Sequence, residues 1–359
     1  MAEPSKFWQG AHLLITFPIP EQRDIVKYLT SSIGVRTIWI NCMASVDDPA
    51  TYHNVDIIAT LGALQPSRSA CPKLKLVHSI TAGVDYISNS PIFGDPSIRW
   101  TYSSGIHGAP MAEWVFMTYM AFQKEWDFYR EAQRNREGGF HFNAMRTRDL
   151  VGQRMGIMGY GSIGRQIGRV AQAMGMEVLA LTATEKRTKE DRREAGYRLP
   201  GMGDPEGEVP VEWFSGLGKE ALHVFLAARI DILVISLPLT EQTRGMLGKE
   251  EFDVLAKHSP YGGAFISNIA RGEVVNQDEL IAALKTEGSG VRGAALDVSI
   301  PEPLPTDSPF WEAPNCFITP PNSSQNIKYM SRGLQIMVEN LRKPLDSEFI
   351  NEVNTARGY

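Results

Sequence analysis

The sequence predicts an α/β protein built on two parallel sheets, and three features predict it. Short runs rich in Val, Ile and Leu alternate with amphipathic segments along most of the chain. That is the pattern of strands buried on both faces and joined by crossover helices. A short apolar run at 155–158 meets Gly159-Tyr160-Gly161-Ser162-Ile163-Gly164 and then a helical stripe. Between the first strands and this turn, residues 111–133 contain neither glycine nor proline. At 359 residues the chain exceeds one ordinary core, so two domains are expected.

In chain order, residues 12–17, 37–41, 55–61 and 74–81 read as buried strands. Residues 20–33 place Ile25, Leu29 and Ile33 four apart with Gly34 as the stop, an amphipathic helix. Residues 109–136 are expected as one connector helix, with Pro110 in its first turn and Gly138-Gly139 beyond its end. The second unit starts near Leu150. After the glycine turn, Ile163, Ile167, Val170, Ala171 and Met174 recur at helical spacing before Gly175. Further strands are expected at 177–182, 232–237, 264–269, 293–298 and 316–319. The polar stretch 184–230 exceeds a normal βα connection. It reads as a helix fragment plus a surface loop, solvated and without function for most of its length. In 324–341, Ile327, Met330, Leu334, Met337, Val338 and Leu341 form a last helical stripe, expected to pack on the first domain.

Composition excludes several classes. With 43% hydrophobic and 21% charged residues the chain is globular. A formal net charge of −5 gives no reason to expect nucleic acid or an anionic membrane as partner. Cys42, Cys71 and Cys316 fit neither a disulfide framework nor a zinc spacing, which points to a reducing compartment. His12, His53, His78, His141, His223 and His258 show no metal-ligand spacing, so no metal is expected. The first residues lack a secretory plan, no apolar run is long enough to span a membrane, and Ala356 to Tyr359 is no address tail. A soluble cytoplasmic protein is the expectation by elimination.

Strand, tight turn and helix together give the glycine motif its meaning. Gly159 allows the turn, Gly161 lets backbone approach a pyrophosphate, and Gly164 lets helix pack on strand. The helix start at Ser162 and Ile163 offers N–H groups and positive potential to phosphate. A βα turn that binds nothing is the weaker reading, because a matching second strand follows. An NAD site would carry Asp or Glu at the end of that strand, where Thr182 stands. A hydroxyl followed by Lys186 and Arg187 attracts a 2′-phosphate, which favours NADP(H) over NAD(H). Glu185 is the competitor.

Later stretches carry a resemblance. Thr81-Ala82-Gly83-Val84-Asp85, Ala112-Glu113-Trp114 and the glycine turn come first. Leu237-Pro238-Leu239-Thr240 with Thr243-Arg244-Gly245, Asn268-Ile269-Ala270-Arg271-Gly272, Ala294-Ala295-Leu296-Asp297-Val298 and Glu302-Pro303 follow. In order and spacing the chain resembles the D-isomer-specific 2-hydroxyacid dehydrogenases, and among them the NADPH-using glyoxylate/hydroxypyruvate reductases. The resemblance implies two Rossmann-like or flavodoxin-like domains with parallel sheets. A nucleotide domain, 116–322, would be inserted in a discontinuous substrate domain, 1–115 and 323–359, with the site in the cleft between them. It implies that Leu237, Pro238, Thr243, Ile269 and Ala270 line the cofactor, that Asp297 meets the nicotinamide carboxamide, and that the protein is a homodimer.

A 2-oxoacid needs its carboxylate fixed, its ketone oxygen polarised, a hydride and a proton. Arg271 suits the first two tasks, being planar, permanently charged and forked. It follows a buried strand, at the carboxyl end where such sites form. Backbone N–H groups at Thr81, Ala82 and Gly83 are candidates to hold the substrate carboxylate, although a purely structural turn is the alternative. The family's acid/base is a histidine in a Thr-Pro-His motif, oriented by the glutamate matching Glu302. Here Thr319-Pro320-Pro321-Asn322 puts Pro321 in that place, and proline moves no proton. Three substitutes stand: Asn322 as a hydrogen-bond donor to the ketone, Glu302 as acid directly or through water, and His107 in the loop before the connector helix. Asn322 with Glu302 or water is preferred. The expected activity is NADPH-dependent reduction of small 2-oxoacids to D-2-hydroxyacids. The competing reading is a non-catalytic, dinucleotide-sensing binding protein of the corepressor type; a formate-dehydrogenase-like activity ranks third. Trp114, Phe140 and Phe310 are candidates to shape an apolar substrate pocket.

Overall fold

A computed structural model describes residues 6–42, 48–62, 64, 66–139 and 147–353. The chain forms two compact units. One comprises Met1–Ile106, Gly196–Arg198 and Asn326–Tyr359; the other comprises His107–Ala195 and Leu199–Gln325. Apart from Gly196–Arg198, which group with the first unit, the chain changes unit at 106/107 and 325/326; the sequence predicts the changes at 115/116 and 322/323.

The first unit holds a parallel sheet of β1 (His12–Thr16), β2 (Arg36–Ile40), β3 (Ile57–Thr60), β4 (Leu76–Ser79) and β5 (Arg99–Tyr102). Their order is β2-β1-β3-β4-β5. Successive strand residues feed opposite cores: Leu13, Ile15 and Ile57 enter one, Leu14, Ile58 and Val77 the other. Burial on both faces is why these strands read as continuous apolar runs. The helix Tyr329–Leu341 sets Leu334, Met337, Val338 and Leu341 into the first core. Each such buried side chain contributes about 1.5–3 kcal/mol relative to exposure. The stripe is shorter than expected: Ile327 is 100% exposed, because residues 326–328 form a turn before the helix starts. His78 on β4 ties this helix to the sheet, with Nε2 3.0 Å from the Gly333 carbonyl and Nδ1 2.9 Å from Thr101 Oγ1. Burial lowers its pKa to about 4, so the ring is neutral and donates from Nε2.

The second unit holds β6 (Arg154–Met158), β7 (Glu177–Thr182), β8 (Glu212–Ser215), β9 (Ile232–Ile235), β10 (Gly263–Asn268), β11 (Gly290–Leu296) and β12 (Cys316–Ile318). They lie in the order β12-β11-β10-β9-β6-β7-β8, all paired in parallel. The chain winds outward from β6 to β8, then returns to β9 on the other side. The switch point between β6 and β9 is where open α/β sheets bind ligands, beyond the carboxyl ends of the strands. Among the described residues, no helix is long and apolar enough to cross a membrane.

Three expectations need correcting. The single connector helix is two, Gly108–Gln123 and Trp126–Asn135, separated where Glu125 adopts φ 52°. The first buries Met111, Trp114, Val115 and Tyr119, while the second buries only Ala132. The break falls where a core helix becomes a surface helix, and no glycine or proline marks it. The stretch 184–230 is not a solvated loop: it contributes the edge strand β8, the helix Lys219–Leu226 and the buried Asp204. Trp114 and Phe310 pack in the two cores of the second unit rather than lining a substrate pocket; Phe140 and His141 lie outside the described residues.

Candidate active site

The glycine turn follows β6 at the switch point. Gly159 has φ +92°, and a Cβ there would come within 2.8 Å of the Ser236 carbonyl oxygen. A Cβ on Gly164 would lie 2.3 Å from the Gly159 carbonyl oxygen, so helix Ser162–Ala173 reaches the turn only without one. A Cβ on Gly161 would meet nothing within 4 Å. Two glycines permit the geometry and the third faces open space, as a pyrophosphate seat requires. Ser236 braces the turn by donating to the Gly159 carbonyl at 2.7 Å.

At the end of β7, Thr182 Oγ1 donates to the Thr184 carbonyl at 2.8 Å. Glu185 pairs with Arg187, Nη2 to carboxylate 2.6 Å, and this hydrogen bond holds the Glu185 carboxyl below its ordinary value. The pair is exposed, so water screens it and contact with a phosphate can replace it at little cost. Lys186 is half-buried. Across the switch point, Thr243 shapes the loop after β9: its hydroxyl donates to the Pro238 carbonyl at 2.8 Å and accepts from Thr240 N at 2.8 Å. Leu237 is buried beside it. The Thr243 hydroxyl therefore shapes this loop by binding its backbone.

Arg271 is placed by Asn268, the last residue of β10. The Asn268 side chain accepts from Ala270 N at 3.1 Å and donates to the Arg271 carbonyl at 3.0 Å. Ile269 and Ala270 are buried within this turn. Arg271 stays half-buried, with Nη1 2.7 Å from the Ala270 carbonyl.

Asp297 ends β11 as the hub of the neighbouring loop. Its Oδ1 accepts from Thr319 Oγ1 at 2.8 Å and from Asn322 N at 3.0 Å, and both oxygens accept from Ser323 N at 3.1 Å. The carboxylate thus winds the 319–323 turn around itself and leaves the Asn322 side chain exposed. Glu302 completes the group. The residue is exposed on the loop after β11, yet its carboxyl is raised, first by partial desolvation at the loop surface and then by Asp297 and Glu273, while Arg271 opposes the rise. The loops that follow β10, β11 and β12 therefore carry a guanidinium, two carboxyl groups of different environment and an amide. A carboxyl with a raised pKa beside a permanent cation is the makeup of a proton donor next to an oxyanion anchor.

In the first unit, Thr81 Oγ1 donates to the Gly83 carbonyl at 2.5 Å and lies 2.6 Å from Ser79 Oγ. This closes a tight turn after β4 and leaves Thr81, Ala82 and Gly83 half-exposed. His107 is buried and assigned to the second unit, at the start of the Gly108–Gln123 helix. Linear spacing misses one grouping: the ligand atoms of His223, Glu250 and Glu251 lie within 4.8 Å of one another. Lys219 already supplies a cation to Glu250, and Glu251 accepts from Gly248 N at 3.0 Å. Thr319 and Ser236 are the site-shaping residues that the sequence reading missed. Ser236 acts on the Gly159 carbonyl and Thr319 on the Asp297 carboxylate, both through space, and only Thr319 carried a signal, as the start of the altered Thr-Pro motif.

The profile of the D-isomer specific 2-hydroxyacid dehydrogenase NAD binding domain matches residues 116–202 and 216–322. A glyoxylate reductase of Korarchaeum cryptofilum is 31% identical over 277 residues, 76% of this chain and 73% of that protein. A hydroxypyruvate reductase of Blautia hydrogenotrophica is 33% identical over 206 residues, 57% of this chain and about half, 54%, of that protein. A D-isomer specific 2-hydroxyacid dehydrogenase of Xanthobacter autotrophicus, solved with NADPH and MES, superimposes with a TM-score of 0.71 at 27% identity, covering 98% of this chain and 100% of the other.

Proposed function

Because the chain belongs to the D-isomer-specific 2-hydroxyacid dehydrogenase family, we propose that it reduces small 2-oxoacids to D-2-hydroxyacids with NADPH. The observation that carries this reading is geometric: Asn268 fixes the Arg271 turn at the carboxyl end of β10, and Asp297 winds the 319–323 turn at the end of the adjacent β11, in the same sheet as the glycine turn. Gly159, Gly161, Ser162, Ile163 and Gly164 hold the pyrophosphate, and Leu237, Pro238, Thr243, Ile269, Ala270 and Asp297 border the rest of the cofactor. NADPH supplies the hydride. Arg271 binds the oxoacid carboxylate and draws charge to the ketone oxygen. Asn322 donates a hydrogen bond to the ketone oxygen, and Glu302 delivers the proton that makes it a hydroxyl. Atoms balance as 2-oxoacid plus NADPH plus H⁺ giving hydroxyacid plus NADP⁺.

Three features support NADPH over NADH. No carboxylate stands at the end of β7, the Arg187 side chain is held only by an exposed ion pair, and relatives have been solved with NADP or NADPH at 25% and 27% identity. Steady-state assays with glyoxylate, hydroxypyruvate and bulkier 2-oxoacids test the reading. KM for NADPH is expected about tenfold or more below that for NADH, each tenfold being 1.4 kcal/mol of binding. A lower KM for NADH would refute the preference, and cofactor binding without turnover of any oxoacid would refute the reductase. A cytoplasmic setting belongs to the same proposal, supported by three unbridged cysteines, Cys42, Cys71 and Cys316.

We also propose a homodimer. A groove of about 750 Å³ runs along helix Gly108–Gln123, where Met117 is 56% and Trp126 55% exposed. Glu113 and Lys124 both line it, about three turns apart along that helix and its cap. A second copy laid antiparallel would pair each with its opposite and cover the apolar stretch, as an isologous interface requires. Light scattering is expected to give twice the 39.9 kDa of one chain, falling to one with Met117→Asp. A wild-type monomer at micromolar concentration would reject the interface.

A further inference from the structure

The inserted stretch spends buried polar groups on the back of the glycine turn. Tyr160, between the first two glycines, donates its hydroxyl to Asp204 Oδ2 at 3.0 Å. Asp204 lies far along the insertion and is 5% exposed. Its carboxylate also accepts from Glu208 N at 3.0 Å and Val209 N at 3.1 Å. Arg165, one residue past Gly164, donates to the Asp204 carbonyl at 2.5 Å and to the Arg192 carbonyl at 2.6 Å. Gln166 accepts from Gly203 N at 2.7 Å. The Tyr160 ring meets Trp213 of β8 edge-on, centroids 5.2 Å apart. Burial and the Asp204 carboxylate push the Tyr160 hydroxyl well above its ordinary range, so it remains a donor.

The same insertion also grips the ribose end. Arg192 Nε donates to the Lys186 carbonyl at 3.2 Å, and its guanidinium lies 5.7 Å from the Trp213 ring. Thr188 and Asp191 cap the short helix that carries Arg192. One segment thus touches the backbone or side chains of both stretches read as contacting phosphate.

A carboxylate taken out of water is costly unless its hydrogen bonds are met. Asp204 satisfies two backbone donors of its own loop, which accounts for local folding. The Tyr160 bond is different, because it reaches out of the insertion to the one side chain that stands between the first two glycines. We propose that Asp204 is a positioning residue for dinucleotide binding: through Tyr160 it sets the glycine turn at the distance a pyrophosphate needs. This rests on the reading of the turn as a dinucleotide site.

Direct titration of NADPH, followed by its fluorescence, tests it alongside turnover. Tyr160→Phe keeps the ring against Trp213 and removes only the hydroxyl. It is expected to weaken NADPH binding about tenfold while kcat at saturating cofactor stays within about twofold, since a hydrogen bond to a charged group is lost and the reacting groups are untouched. Asp204→Asn should weaken binding similarly, and the double variant should bind no worse than the weaker single one, because both cut the same link. A merely structural role would lower the unfolding midpoint and leave the NADPH dissociation constant of folded protein unchanged. If wild type binds NADPH and Tyr160→Phe matches it within about twofold, or if the two losses add, this inference alone falls. If wild type binds no NADPH, the dinucleotide reading falls and takes the inference with it. Tyr160→Phe carries the test should Asp204→Asn fail to fold.

Discussion

Arg271→Gln is expected to lower kcat/KM for a 2-oxoacid about a thousandfold, while NADPH binding stays within a few-fold of wild type. The loss equals about 4 kcal/mol of transition-state stabilisation. That lies in the range for removing one partner of a desolvated charge pair. Two forked bonds to carboxylate and ketone oxygen are involved, and the second strengthens as charge develops on that oxygen. Arg271→Lys keeps the charge and loses the fork, so it should recover only part of the rate. The turn around the arginine is built by Asn268, whose two side-chain bonds are independent of the guanidinium. The substitution should therefore leave the fold intact, as circular dichroism would confirm. Retention of kcat/KM within tenfold of wild type would remove Arg271 from the substrate site.

Much of this arrangement could be read in the residues themselves, and the exceptions share a cause. Strands such as His12–Thr16 and Ile232–Ile235 are buried on both faces, so apolar runs announced them. Gly159, Gly161 and Gly164 announced the turn because each has a steric job, visible again in what a Cβ would strike. Arg99–Tyr102 and Glu212–Ser215 went unseen: each is four residues long, opens on a charged residue and lies at a sheet edge. The bend at Glu125 left no trace because its φ of 52° belongs to a residue that carries no turn signal. Asp204 and Thr319 were illegible for a deeper reason. Their partners, Tyr160 and Asp297, lie more than twenty positions away in sequence, and hydrogen bonds through space have no period. The altered Thr-Pro stretch was legible as a departure, since Pro321 stands where the family resemblance implies an acid/base histidine. Its remedy was less so: only the fold shows that Asn322 is tied by its backbone to Asp297 and that the Glu302 carboxyl is raised.

Glu302→Gln is the sharper test of that remedy, with an expected loss of about a hundredfold in kcat at neutral pH, the scale of one general acid. The shape of the pH profile matters more than the size. In the direction of reduction the carboxyl must carry a proton, so the rate is full below its pKa and falls as pH rises through it. Partial desolvation, Asp297 and Glu273 lift that pKa, and Arg271 holds it back; the wild-type alkaline limb should therefore begin above the ordinary carboxyl range. Glutamine has no proton to lose, so the variant should be slow and flat across that interval. The same electrostatics links the two substitutions. Removing the cation in Arg271→Gln takes away the one influence opposing the rise, and the limb in that variant should move to higher pH. A histidine donor would keep its alkaline limb in Glu302→Gln, because no carboxyl would set it. If Glu302→Gln retained the wild-type alkaline limb, the proton would have to come from elsewhere, and the buried His107 would be the residue to replace next.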